Sequence, residues 1–369
     1  MGSISLFLSA GDPSGDNAAA RLVGELSDIL PGLNICGLGG EKLRSLGQEQ
    51  LADGDELAVL GFWEVARRAL FFHRLLNRCA EEIRRRRPAA VILVDYPGFN
   101  LRLAKKIKPL GIPIIYYISP QVWAWGKGRI ADIRELVDLM LVILPFEPEF
   151  YQRHGVDARF VGHYLLEDIP ASYIGSPLPP KGTLCLLPGS RKQEIARMLP
   201  PMLDTAHRFN QLHGTRTVIA AIKNRFNYDT LMHRYSSGDI GVSYEDSRRI
   251  IHDSSLVLTA SGTATLETAI IGRPMVVVYK TGFITYQIAR RLVKLDSIAL
   301  VNLVLGEKVV PELIQSRVCP KHILPELTRF VQESDYAPQV KANLDRTSEL
   351  LGGTGASQRA ARLIAEHIL

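Results

Sequence analysis

A chain of 369 residues, 46% hydrophobic and 22% charged, is neither disordered nor fibrous and is long enough for two domains with separate cores. The 44 basic residues exceed the 38 acidic ones, for a net charge of +6, which suits a polyanion, a phosphorylated small molecule or an acidic membrane surface. Cys36, Cys79, Cys185 and Cys319 have no CxxC spacing, which argues against a zinc site or disulfide framework and leaves reduced cytoplasmic thiols as the expectation.

No signal peptide is evident, because the N-terminus runs straight into a strand, Ile4–Ser9. The glycine-rich turn Gly11-Asp12-Pro13-Ser14-Gly15-Asp16 then opens the helix Asn17–Leu30. A doubly wound sheet binds phosphates or sugars at such a turn, though this one is neither GxGxxG nor a P-loop. Asp12 and Asp16 fit a substrate hydroxyl and a helix cap equally well. Asn34–Gly40 is the second strand, and Asp53-Gly54-Asp55 has the Asp-x-Asp spacing of metal-dependent sugar transferases. No apolar strand precedes it, so no metal is assigned.

Leu57–Arg87 carries more bulky apolar residues than one buried stripe needs, with arginines between them at helical spacing. It reads either as core helices with a basic face or as a surface for an anionic membrane. On the second reading Phe62, Trp63, Arg67, Arg68, Phe71, Phe72 and Arg74 are the contacts. Arg84–Arg87 reads as a solvated helix end, and no nucleic-acid-binding motif accompanies it. No stretch reaches the roughly 20 apolar residues of a membrane span.

Ala89–Val94 is a central strand with Asp95 at its carboxyl end, followed by a turn and the helix Leu101–Lys108. A carboxylate there points into the crevice where parallel sheets bind ligands, which makes Asp95 a candidate general base; a turn or cap role is the alternative. After the strand Ile112–Ile118, the loop Ser119-Pro120-Gln121-Val122-Trp123-Ala124-Trp125 offers Gln121, Trp123 and Trp125 to a sugar face or to loop packing. Strands at Val137–Leu144 and Arg159–Val161 complete a parallel α/β pattern.

Ser172–Gly182 has the composition of a linker, after which the pattern restarts. The strand Thr183–Leu187 ends in a turn containing Gly189, Ser190 and Arg191, and Leu256–Thr259 ends in Ser261, Gly262, Thr263 and Ala264. Both turns open helices whose amides and dipole can receive a diphosphate. Glu267, about one helical turn on, suits a sugar diol. Lys280, after the strand Met275–Tyr279, and Asn302, within Ile298–Leu303, complete the donor set.

Four segments together resemble the lipid-A-disaccharide synthase family: Gly11–Asp16, Ser119–Trp125, Leu187-Pro188-Gly189-Ser190-Arg191 and Ser261-Gly262-Thr263-Ala264-Thr265-Leu266-Glu267. The spacing matches across nearly the whole chain. The family usually has Glu where Asp12 stands, and Gly98 leaves the Asp95 loop without a second acid. The resemblance implies an α/β protein of the GT-B fold, two Rossmann-like doubly wound domains facing a cleft. Residues 1–170 would form the acceptor and membrane side, completed by the C-terminal helix 339–369, and 171–338 the UDP-sugar side. It further implies joining of UDP-2,3-diacylglucosamine to 2,3-diacylglucosamine 1-phosphate, with Asp95 taking the acceptor proton. No cofactor or metal is implied, the UDP-sugar being a substrate. The family works peripherally on the cytoplasmic face of the inner membrane and can form domain-swapped homodimers. Other UDP-amino-sugar enzymes of this fold, a peptidoglycan lipid glycosyltransferase or a UDP-sugar epimerase, are the alternative. A dinucleotide oxidoreductase is disfavoured, since no GxGxxG is followed by an acid about 20 residues on.

Overall fold

The computed structural model describes residues 4–52, 69–124, 128–179, 182–223, 226–228, 238–282 and 297–369. Contacts divide the chain into a first unit, Met1–Tyr164 with Gly352–Leu369, and a second, Leu165–Leu351. Thus Tyr336–Leu344 and Thr347–Leu350 belong with the second unit, and the helix Ala356–Ile368 packs on Pro13–Ile29 in the first. The family resemblance instead implies that all of 339–369 completes the first unit.

Among the described residues the first unit's sheet has seven strands: β1 (Ser5–Ala10), β2 (Asn34–Leu38), β3 (Glu49–Gln50), β4 (Ala90–Val94), β5 (Ile114–Tyr117), β6 (Leu139–Val142) and β7 (Ala158–Phe160). All pairings are parallel, in the order β3-β2-β1-β4-β5-β6-β7. The unbroken apolar runs of β4 (Ala-Val-Ile-Leu-Val) and β5 (Ile-Ile-Tyr-Tyr) suit this place, because helices bury both faces of a parallel sheet. The order reverses between β1 and β4, which makes their carboxyl ends the switch point where such sheets bind ligands. Ala10 pairs with Val94 and Val94 with Tyr117, so the turns after β1, β4 and β5 leave the sheet side by side. The helix after β4 begins at Pro97 rather than Leu101, since proline's fixed φ and missing donor fit a first turn.

The second unit's described strands are β8 (Thr183–Leu187), β9 (Arg216–Ala220), β10 (Ile240–Ser243), β11 (Leu256–Ala260), β12 (Met275–Tyr279) and β13 (Glu312–Ile314). They too are parallel, ordered β10-β9-β8-β11-β12-β13, and the reversal falls between β8 and β11. Leu187 pairs with Thr259, so the turns at Gly189 and Gly262 open at the same end of adjacent strands.

The helix Ala69–Arg86 resolves part of the ambiguous basic region. Leu75, Cys79, Ala80 and Ile83 are buried in the core, and Phe71 and Phe72 pack partly buried against it, edge to face at 5.5 Å. Those two rings therefore belong to the core-facing stripe, which leaves Leu70 (73% exposed), Arg74 and Arg78 on the open face. The basic end is largely paired: Arg84 with Glu81, Arg85 with Glu82, and Arg86 with both Glu82 and Glu49. Phe62, Trp63, Arg67, Arg68 and Asp53-Gly54-Asp55 lie outside the described residues. Among those described, no helix is long and apolar enough to cross a membrane.

Candidate active site

At the first unit's switch point, Asp95 and Tyr96 follow β4 with φ of 44° and 47°, both left-handed. Asp tolerates that region, whereas for a bulky aromatic it is strained by about 1–3 kcal/mol. A buried network holds the turn. Asn100 Nδ2 donates to the Asp95 carbonyl at 2.8 Å and to that of Val94 at 3.2 Å. The Tyr116 hydroxyl donates to the Asp95 carbonyl at 2.6 Å, and Ser9 Oγ donates to Asn100 Oδ1 at 2.7 Å. The Asp95 carboxyl is pushed up to about 7, mainly by burial, then by the negative charge of Asp12, with a smaller push from Glu147; the Tyr96 amide opposes them. A carboxyl poised there can accept a proton near neutral pH.

The turn after β1 separates its two acids. Asp12 caps Pro13–Ile29, its Oδ1 accepting from the Gly15 amide at 2.6 Å and the Ser14 hydroxyl at 3.0 Å. Asp16 turns instead to the neighbouring helix. Its carboxylate accepts from the amides of Gly40 (2.7 Å), Lys42 (3.0 Å) and Leu43 (3.3 Å), capping the neighbouring helix Glu41–Ser45. Gly11 is required by packing: a Cβ there would lie 2.2 Å from the Tyr96 ring.

Beyond β5, Gln121 is exposed, whereas Trp123 is buried and stands edge-on to Phe146 at 5.0 Å. Trp123 Nε1 donates to Glu147 at 3.0 Å, so this tryptophan shapes the loop rather than offering an open face. Trp125 lies outside the described residues. Glu147 and Asn100 are site supports that sequence reasoning misses; only their places just after strand ends hint at them.

In the second unit, no side chain caps Thr263–Ile271, whose first turn includes Thr263 and Ala264 and whose N-cap is Gly262, φ 156°. Ser261 Oγ donates to the Ile298 carbonyl at 3.0 Å. Gly189, φ 107°, precedes Lys192–His213, where Ser190 is exposed. Arg191, 64% exposed, lies 3.4 Å from Glu194, so an incoming phosphate must compete with that carboxylate. Glu267 Oε1 accepts from Arg248 Nε at 3.0 Å, and Arg248 also donates to the Asp168 carbonyl at 3.1 Å. Burial raises the Glu267 pKa and Arg248 pulls it back. Arg248 is a third residue that sequence reasoning misses.

Lys280 is exposed just beyond β12. Asn302 is withdrawn from direct contact, because its side chain is already spent. Oδ1 accepts from the Val309 and Val310 amides, both at 3.0 Å; Nδ2 donates to the Val310 carbonyl at 2.9 Å and Glu312 at 2.7 Å. It ties Leu300–Leu305 to the segment after that helix, while Glu312 holds the segment before it through Ser297 Oγ and the Ile298 amide.

A family model described as lipid-A-disaccharide synthetase matches residues 6–367. The chain belongs to the lipid-A-disaccharide synthetase family. It is a glycosyltransferase family, and the lipid-A-disaccharide synthases of Myxococcus xanthus and Syntrophus aciditrophicus are each 38% identical to this chain, over 98% of it and 97% of their own length. The chain's fold is GT-B-like, as two solved structures show. A calicheamicin glycosyltransferase has TM-score 0.63 and 16% identity, covering 100% of this chain and 99% of its own. The UDP-GlcNAc 2-epimerase of Neisseria meningitidis has TM-score 0.65 and 10% identity, covering 98% and 99%. At those identities the likeness speaks for fold alone, so the synthetase assignment rests on the family and its sequence relatives.

Proposed function

We propose that this synthetase transfers the sugar of UDP-2,3-diacylglucosamine to the 6-hydroxyl of 2,3-diacylglucosamine 1-phosphate, with Asp95 as base. The acceptor oxygen bonds to the donor's C1 while its proton passes to Asp95. The bond from C1 to the diphosphate breaks, UDP leaves with the electron pair, and the configuration inverts. Amides at Gly189 and Gly262, with Arg191, take up the charge developing on the diphosphate, and Glu267 holds the ribose. The observation that carries this reading is Asp95 itself, a carboxyl pushed up to about 7 at a switch point in a chain of this family.

The test is release of UDP from the two lipid substrates by the full-length protein. Equal turnover with UDP-N-acetylglucosamine as donor would overturn the acyl-sugar assignment. The reaction is metal-free on this reading, so a chelator leaves turnover unchanged; loss of activity restored by a divalent cation would refute that. Leu70, Arg74 and Arg78 form an apolar and basic face suited to anionic lipid. Sedimentation with anionic vesicles should fall in Leu70→Ser/Arg74→Ser, and undiminished binding would remove this face from the membrane role.

A further inference from the structure

Among the described acidic residues Glu147 is the most buried, 1% exposed. Its Oε1 accepts from Ser119 Oγ at 2.6 Å and Trp123 Nε1 at 3.0 Å; its Oε2 accepts from the amides of Ile143 at 3.2 Å and Leu144 at 2.9 Å. Four donors converge on two oxygens and favour the ionised carboxylate, against a burial that raises its pKa. Neither a guanidinium nor an ammonium is among these partners. A buried carboxylate held by neutral donors is costly, and its hydrogen bonds tie the end of β6, through the Ile143 and Leu144 amides, to the loop after β5, through Ser119 and Trp123.

Its partners point to the reacting end of the sheet. Ser119 and Trp123 lie on the loop leaving β5, and Tyr117 at the end of β5 pairs with Val94, the residue before Asp95. We propose that Glu147 is a positioning residue for glycosyl transfer, holding the Ser119–Trp123 loop at the sheet end from which Asp95 emerges and presenting a fixed negative charge toward it. The assignment rests on Asp95 being the base. The ionisable groups facing Asp95 are Asp12, Tyr96, Tyr116 and Glu147; both carboxylates favour its protonated form.

Three variants of the full-length protein test this. Glu147→Gln keeps the size but turns an NH2 toward donors and removes the charge. It should lower kcat roughly 10- to 100-fold with the donor's KM little changed. It should also move the acid limb of kcat/KM to lower pH, because Asp95 ionises more readily once a negative neighbour is gone. Ser119→Ala and Trp123→Phe each remove one donor and keep the charge, so they should lower kcat without moving the limb. Their combined effect should be less than the product of the two, since both act through one carboxylate. Wild-type kcat and an unmoved limb in Glu147→Gln overturn the proposal, as does a loss of kcat with the limb unmoved, which marks a merely structural residue. If Glu147→Gln does not fold, wild-type kcat in the Ser119→Ala/Trp123→Phe double variant overturns it instead. Wild-type turnover in Asp95→Asn would sink the base assignment, whereas the loop variants report on Glu147 independently.

Discussion

After β4 the chain turns through two left-handed residues bearing a carboxyl and a phenol; after β11 it turns through Ser261 and Gly262 with no side-chain cap. Both turns sit at the switch point of a parallel sheet. The first is expensive. Asn100 and Tyr116 hold the turn through the Asp95 carbonyl although Tyr96 sits against its backbone preference, and Gly11 must lack a Cβ to admit the Tyr96 ring. The second invests little, since an uncapped helix start leaves amides available and needs only room. On the proposed mechanism, the contrast follows from the work each end does. A proton acceptor is one titratable group at one place, so its surroundings must be fixed and partly dry. A diphosphate is large and charged all round, so several weak backbone donors hold it without a specialised side chain.

Asp95→Asn puts most weight on this contrast. The amide keeps the shape and the backbone bonds of the turn but cannot take a proton, so turnover should drop roughly 10²- to 10⁴-fold. UDP affinity, measured calorimetrically, should stay near wild type. Equal losses of turnover and UDP binding would mean that the turn is structural. The opposite signature belongs to the second unit. Arg191→Ala should weaken UDP binding roughly 10-fold, the lower end for a charge-assisted contact, because the side chain is 64% exposed and already shared with Glu194. Glu267→Ala should weaken it less, roughly 3- to 10-fold, one carboxylate oxygen being committed to Arg248. Unchanged UDP affinity in either variant would remove that residue from the donor site.

Much of the frame is legible in the sequence, because unbroken runs such as Ala90–Val94 and Met275–Tyr279 have no other easy home than a parallel sheet. The glycine turns that end β8 and β11 are legible for the same reason: a strand's end and a helix's start leave local marks. The supports are not. Glu147 meets Ser119, and Tyr116 meets the Asp95 carbonyl, only once strands distant in sequence pair in register. Asp16 shows the limit sharply, since its place before Asn17 reads as a substrate contact or a cap for the helix that follows, whereas its carboxylate caps Glu41–Ser45. Phe71 and Phe72 look surplus to one apolar stripe until the core beside Cys79 takes them in. Asn302 reads as a ligand contact from its place in the chain, but each of its hydrogen-bonding atoms is used internally.

The smallest expected effect probes the cost of the β4 turn directly. Asp95 has an ordinary pKa of 3.8 and about 7 in the folded protein, with burial the largest cause and Asp12 the next. The folded state thus binds the proton more tightly than the unfolded chain does. This contribution to stability is fully present below the ordinary value and is lost as pH rises through about 7. Asp95→Asn removes the group that must ionise. Relative to wild type, its Tm at pH 8 should therefore rise by several degrees, while at pH 4 the two proteins should melt within a degree or two of each other. Calorimetric scans of both proteins at the two pH values give the comparison, in which other titrating groups cancel. An equal Tm difference at both would show that the Asp95 carboxylate ionises in place without penalty. In that case the β4 turn holds its charge as cheaply as the Gly262 turn holds its amides, and the contrast between the two switch points would reduce to backbone strain.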